Sequence, residues 1–133
     1  MSTAMRGKDA SALSIARKHL AEWTNHDLEG ARANLAVGVQ FISANATLSG
    51  IDQYMDGPGG LASFAKQVVP GSLRVKAERG DQRRALLMYE VDIEGGPMGS
   101  MTVPSAELFE LDESGKITTD RILFYATPRV GKT

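Results

Sequence analysis

The chain has 133 residues, 42% hydrophobic and 23% charged, with a formal net charge of −1. That is one domain of ordinary globular composition, and so small a charge excludes an electrostatic drive toward nucleic acid or anionic membrane. The lack of cysteine excludes disulfides, thiolate metal sites and cysteine nucleophiles.

Residues 1–9 are small and polar and read as a flexible N-terminus. They hold Arg6 and Lys8 with no apolar segment behind them, so no signal peptide is expected. No apolar run approaches the roughly 20 residues of a membrane helix. A cytoplasmic location is the expectation. The single domain spans 10–128, and 129–133 form a tail.

A first helix starts at Asp9 or Ser11, either of which can cap it, and runs to about Thr24. At about 100° per residue, Ala12, Leu13, Ile15, Ala16, Leu20 and Trp23 fill one arc. Ser14, Arg17, Lys18 and Glu22 fill the opposite one. His19 falls inside the apolar arc, which is the first sign of a functional position. Asn25-His26-Asp27 breaks the helix, and Asp27 caps a second, Leu28 to Ala36, ended by Gly38. His26 reads as a solvated turn residue. Val39 to Ser43 is a strand with Val39, Phe41 and Ser43 on one face, and Asn45 to Gly50 is a loop.

Residues 51–70 read as helix, split at Asp56-Gly-Pro-Gly-Gly60 because proline and glycine oppose a continuous helix. The split suits a gate over a pocket mouth, or a plain break. From Gly71 onward the pattern is strand: about 72–79, 83–94, 99–111 and 116–127. In the second of these Leu87, Tyr89, Val91 and Ile93 alternate with Glu90, Asp92 and Glu94, as a half-buried antiparallel strand does. Asp112-Glu113-Ser114-Gly115 is a tight turn. Helices first and a meander after give an α+β class, with a curved antiparallel sheet wrapped around N-terminal helices.

Three stretches carry a family resemblance: WTNHDLEG from Trp23 to Gly30, Ser49-Gly50 before the third helix, and LDESGKI from Leu111 to Ile117. The order resembles the nuclear-transport-factor-2-like superfamily, which includes SnoaL-like polyketide cyclases and ketosteroid isomerases, over roughly residues 12–127. The resemblance implies a cystatin-like, cone-shaped α+β barrel with an apolar pocket, often dimeric through the outer sheet face. Aligned on Asp27-Leu28-Glu29, the isomerase tyrosine falls at His19, its aspartate base at Ser43 and its second aspartate at Pro104. All three differ, so ketosteroid isomerase activity is not expected. The alignment points Asp120, Ile122 and Phe124 inward on the last long strand, where periodicity alone decides nothing.

The expected acid–base residues are therefore His19 and Asp120, with Asp120 orienting the imidazole and raising its basicity, and Tyr89 as a hydrogen-bond donor. The expected pocket wall is Trp23, Phe41, Ser43, Met55, Phe64, Leu87, Val91, Pro104, Ile122 and Phe124. The bland alternative makes His19 a core-edge histidine on a backbone carbonyl, with Asp120 outside beside Arg121. Two histidines are too few for a convincing metal site, and no cofactor is expected. Two functions stay open: cofactor-independent isomerase or cyclase chemistry on a small hydrophobic carbonyl compound, or a non-catalytic ligand-binding or dimeric assembly module.

Overall fold

The computed structural model describes residues 11–44, 46–96, 99–125 and 129–130. Helix α1 is Ala12–Thr24 and α2 is Leu28–Ala33. Ser11 caps α1 by accepting from the Ser14 N–H at 3.2 Å, and Asp27 caps α2 by accepting from Gly30 N–H at 3.0 Å. Strand β1 is Leu35–Ile42, β2 is Thr47–Ser49, α3 is Ile51–Asp56 and α4 is Leu61–Ala65. Four longer strands and a short one complete the chain: β3 Arg74–Gly80, β4 Arg84–Gly96, β5 Gly99–Leu111, β6 Ile117–Tyr125 and β7 Arg129–Val130.

The second helix is shorter than its apolar pattern suggests. It stops at Ala33, and Leu35 to Gly38 belong to β1 instead. Pairing overrides propensity here. Leu35 sits opposite Ile117 of β6, and the Ile117 N–H donates to the Asn34 carbonyl at 2.8 Å. This places Asn34 at the junction of helix and sheet, where its side chain is buried.

The sheet runs in the order β2-β1-β6-β5-β4-β3, with β7 added beside β5. Neighbours are antiparallel except β1 and β6, which are parallel. A meander alone would not produce that join; it brings the chain's first strand beside its last long one. The α+β class holds, and the sheet stays open rather than closing into a barrel. Helix α1 lies on its concave face, against β3, β4 and β5. Ala12, Ala16, Leu20 and Trp23 of α1 are buried there with Leu35, Val39, Leu87, Val91, Phe109 and Ile117. Each large side chain so buried contributes about 1.5–3 kcal/mol. Among the described residues no helix is long and apolar enough to cross a membrane.

Between α3 and α4 the chain passes Gly57, Pro58, Gly59 and Gly60, and the break forms part of a cavity wall. The glycines there serve different ends. Gly59 has φ +77°, a region unfavourable to L side chains, with open space around it. Gly60 has an ordinary φ of −80°. A Cβ on it would lie 2.8 Å from the carbonyl oxygens of Gly57 and Tyr54 and 2.9 Å from that of Gln53. Three rigid backbone atoms cannot yield as a side chain would. We expect Gly60→Ala to cost about 2–3 kcal/mol and Gly59→Ala about 1 kcal/mol in urea titrations. The reverse order would contradict the packing described.

Candidate functional site

A cavity of about 380 Å³ lies between α1, the α3–α4 break, the β1–β2 hairpin and the inner face of β4–β6. That is within the size range of small-molecule sites. Its rim holds exposed residues, among them Pro58, Gly59, Ser63 and Gln67. Its floor holds the buried residues Trp23, Tyr54, Tyr89, Ser105 and Glu107. Two aromatic pairs line it: Trp23 with Phe64, centroids 5.5 Å apart, and Phe41 edge-on to Tyr54 at 5.6 Å.

Of the expected wall, Trp23, Phe41, Ser43, Phe64 and Ile122 line the cavity, as does Tyr89. Met55, Leu87 and Val91 do not; they are packed into the core at 3% exposure or less. Pro104 is displaced by one residue from the inner row. On β5 the inward residues are Val103, Ser105, Glu107, Phe109 and Leu111, all buried. Pro104 belongs to the other row, opposite Glu90 of β4. An offset of one position exchanges the two faces of a strand. The side chain of Phe124 lies outside the described residues.

His19 and Asp120 are both inside, at 0% and 1% exposure, but neither lines the cavity and they do not touch. Tyr54 stands between them. Its hydroxyl is 2.8 Å from His19 Nε2 and donates to Asp120 Oδ2. The expected dyad is thus a triad with a phenol in the middle. Nor is His19 made basic. Burial pushes its imidazole down to about 3, with the Ala31 carbonyl opposing and the Lys18 charge assisting. His19 is neutral throughout the physiological range and is no general base there. The other histidine, His26, is not simply solvated. It takes φ +69° and its Nε2 bonds the Val68 carbonyl at 2.8 Å.

The direction of the buried hydrogen bonds follows from the outer end. Lys18, donor only, reaches Asn34 Oδ1 at 3.0 Å. The Glu22 carboxylate accepts from Asn34 Nδ2 at 2.7 Å. These two contacts orient the Asn34 amide. Its Nδ2 is also 3.1 Å from His19 Nδ1, so Nδ1 accepts and Nε2 carries the proton. Nε2–H then donates to the Tyr54 oxygen, and the Tyr54 hydroxyl proton passes to Asp120. Burial, followed by the Asp120 charge, holds the Tyr54 phenol well above its ordinary value, so it stays neutral.

Glu107 carries the chain on to the cavity. It is 3% exposed and accepts from the Tyr89 hydroxyl at 2.6 Å. Its carboxyl also lies against that of Asp120. Burial is the main cause that raises both acids, and the Glu107 charge lifts Asp120 further. Two buried carboxyls in contact hold one proton between them. Asp120 Oδ1 is fully buried and has no donor. An ionised Asp120 would leave that oxygen unpaired; a proton on it would give it a bond to make, with the neighbouring Glu107 carboxyl as the acceptor at hand. This favours the proton on Asp120, with Glu107, which accepts from Tyr89 and faces the cavity, as the ionised member.

Glu107 and Tyr54 were both missed in the sequence. Glu107 was legible as a lone carboxylate in the row Val103-Ser105-Glu107-Phe109-Leu111. Tyr54 shares a helix face with Ile51, three residues before it, a weaker signal. Among the described residues no three carboxylate or histidine side chains converge as a metal site would require.

The His19 effect has a definite sign. Its folded pKa is depressed, so the stability it contributes is present above pH 6.5 and lost as pH falls toward 3. The raised Asp120 has the opposite sign and favours the fold as pH falls through its own titration. His19→Gln isolates the first effect. From pH 6.5 to 4.5 the variant should gain about 2–3 kcal/mol relative to the parent, at about 1.4 kcal/mol per pH unit. Urea titrations at each pH measure it, and parallel curves would refute a buried neutral imidazole.

No protein-family model matches the chain, and no curated protein matches it. Solved structures do. A protein from Kribbella flavida DSM 17836 is 26% identical, with 89% of this chain and 88% of that one aligned at a TM-score of 0.73. A nuclear-transport-factor-2-like protein from Burkholderia thailandensis E264 is 15% identical over 87% of this chain and 91% of its own, TM-score 0.70. A protein described as a SnoaL-like polyketide cyclase, from Shewanella putrefaciens CN-32, is 15% identical over 83% and 77%, TM-score 0.69. With its helices packed on one face of an open sheet, the chain has the fold of these nuclear-transport-factor-2-like and SnoaL-like proteins.

Proposed function

We propose that the cavity is the active site of an acid–base enzyme acting on a small, largely apolar carbonyl compound, with Glu107 as the base. The observation that carries this reading is a buried carboxyl, Glu107, on the cavity floor, which accepts from the Tyr89 hydroxyl and lies against the buried Asp120. The likeness to a SnoaL-like polyketide cyclase supports it at the level of fold.

Glu107 takes a proton from a carbon next to the carbonyl. The C–H bond breaks, its proton goes to a Glu107 oxygen, and the electron pair moves onto the carbonyl oxygen as an enolate. Once neutral, Glu107 needs its donors less. The Tyr89 hydroxyl, bonded to Glu107 at rest, is then free to turn to the enolate oxygen. Asp120 keeps its own proton and stabilises the anionic form of Glu107 before the step. The aromatic pairs hold the apolar body of the substrate, and the rim of the α3–α4 break admits it. The expected dimer finds support in Met88 and Leu123, 45% and 50% exposed on the face away from the cavity.

Exchange of α-hydrogens for deuterium in a panel of small ketones, followed by NMR in heavy water, tests the reading. Glu107→Gln should slow exchange by about 10²–10⁴-fold. The parent rate should rise with pH through a titration above the ordinary carboxylate value, because the base form appears only as the raised acid ionises. Equal rates in parent and variant would assign the cavity to binding without catalysis.

A further inference from the structure

We propose that Asn34, clamped between Lys18 and Glu22 at the edge of the domain, is a positioning residue that makes Glu107 the base by fixing the tautomer of His19. The proposal rests on the acid–base reading of the pocket, but its first consequence is independent of any reaction.

The five side chains from Asn34 to Glu107 form one directed series. Asn34 donates to His19, His19 to Tyr54, Tyr54 to Asp120, and Asp120 to Glu107. Each middle member gives one proton and receives one bond. Reversal at the first member therefore propagates to the last. Asn34 cannot reverse, because the lysine meets its oxygen and the glutamate its nitrogen. Lys18 also bonds Glu22 directly at 2.8 Å, which closes the clamp. Asn34 is 7% exposed, so its contacts are largely shielded from water.

Without the Asn34 donor, the Ala31 carbonyl beside the ring, which favours a protonated imidazole, becomes the partner of His19. The proton then belongs on Nδ1, and Nε2 becomes an acceptor. The Tyr54 hydroxyl turns to Nε2, and its oxygen faces Asp120 as an acceptor. Asp120 follows by donating from Oδ2 to Tyr54 instead of from Oδ1 to Glu107. Glu107 keeps only Tyr89 as a donor. No proton leaves the network; three change the atom they sit on or the partner they face. The groups around Glu107 are Asp120, Tyr54, Tyr89 and, one step back, His19. Among the described ion pairs, none supplies it a cation. Losing one donor to its charged form therefore raises its pKa.

Long-range ¹H–¹⁵N NMR of the histidine rings reads the tautomer directly. In the parent, His19 should show a protonated Nε2 and a bare Nδ1 from pH 5 to 8. In Asn34→Leu the pattern should invert. Asn34→Asp, whose carboxylate accepts and cannot donate, should invert it too and guards against a variant that fails to fold. In either variant the pH profile of ketone exchange should move up by about one unit or more. A parent with Nδ1 protonated, or variants with an unchanged tautomer, would overturn the proposal even if Glu107→Gln abolishes exchange. An inverted tautomer with an unmoved pH profile would reduce Asn34 to a structural residue and overturn it as well. Exchange insensitive to Glu107→Gln, with the tautomer inverting, would instead sink the acid–base reading.

Discussion

A carboxylic acid in a protein interior is tolerated only as a neutral group or with partners. Asp120 and Glu107 meet that demand together, and much of this domain can be understood from how. Asp120 sits on β6 with Phe41 beside it on β1 and Phe109 on β5. Among the described ion pairs none gives it a cation, so it keeps its proton. That proton needs an acceptor, which is Glu107. The second oxygen takes the Tyr54 hydroxyl, which is why α3 must come down over the sheet at that point. Tyr54 in turn needs a donor for its oxygen, and α1 supplies it through His19. The helices thus sit where the carboxyl pair requires them as well as where the apolar contacts put them.

This ordering explains why a histidine stands in the apolar arc of α1. It has little to do with basicity. A neutral imidazole with one proton is a rigid two-ended connector, able to accept at one end and donate at the other. Its edge-on contact with Phe109, centroids 5.9 Å apart, holds the ring plane. The energy that keeps it neutral is the cost of burying its charged form. The same burial makes the carboxyls hold a proton, so one desolvated interior pushes bases down and acids up together.

The fold was largely legible in the sequence, and the reasons are local. The α1 arc, the Asp27 cap, the LDESGKI turn and the β4 alternation each rest on nearest-neighbour chemistry. The parallel join of β1 to β6 was not legible, because it depends on residues some 80 apart in the chain. It also claimed Leu35 and Ala36 from the helix that their pattern favours. At the site, the alternation of β4 placed Tyr89 correctly on the inner face. On β5 a borrowed alignment put Pro104 inward and hid Glu107, although the strand's own alternation pointed to the glutamate. Tyr54 was invisible for another reason. A tyrosine on a two-turn helix is ordinary until the partners that surround it, His19 and Asp120, are known.

The placement of Asp120 between two strands bears on how this chain tolerates insertions. Its successor, Arg121, points to the exterior and is exposed. Shifting β6 by one position along either neighbour would carry a permanent cation into the interior and eject the acid. A guanidinium there would find two hydroxyls and an imidazole donor, and would strip the proton from whichever acid remained nearby. Misregistered assemblies of this sheet are thus rejected by charge as well as by shape. Tolerated length changes should collect in the turn before β6, Asp112 to Lys116, and be absent from the strand itself.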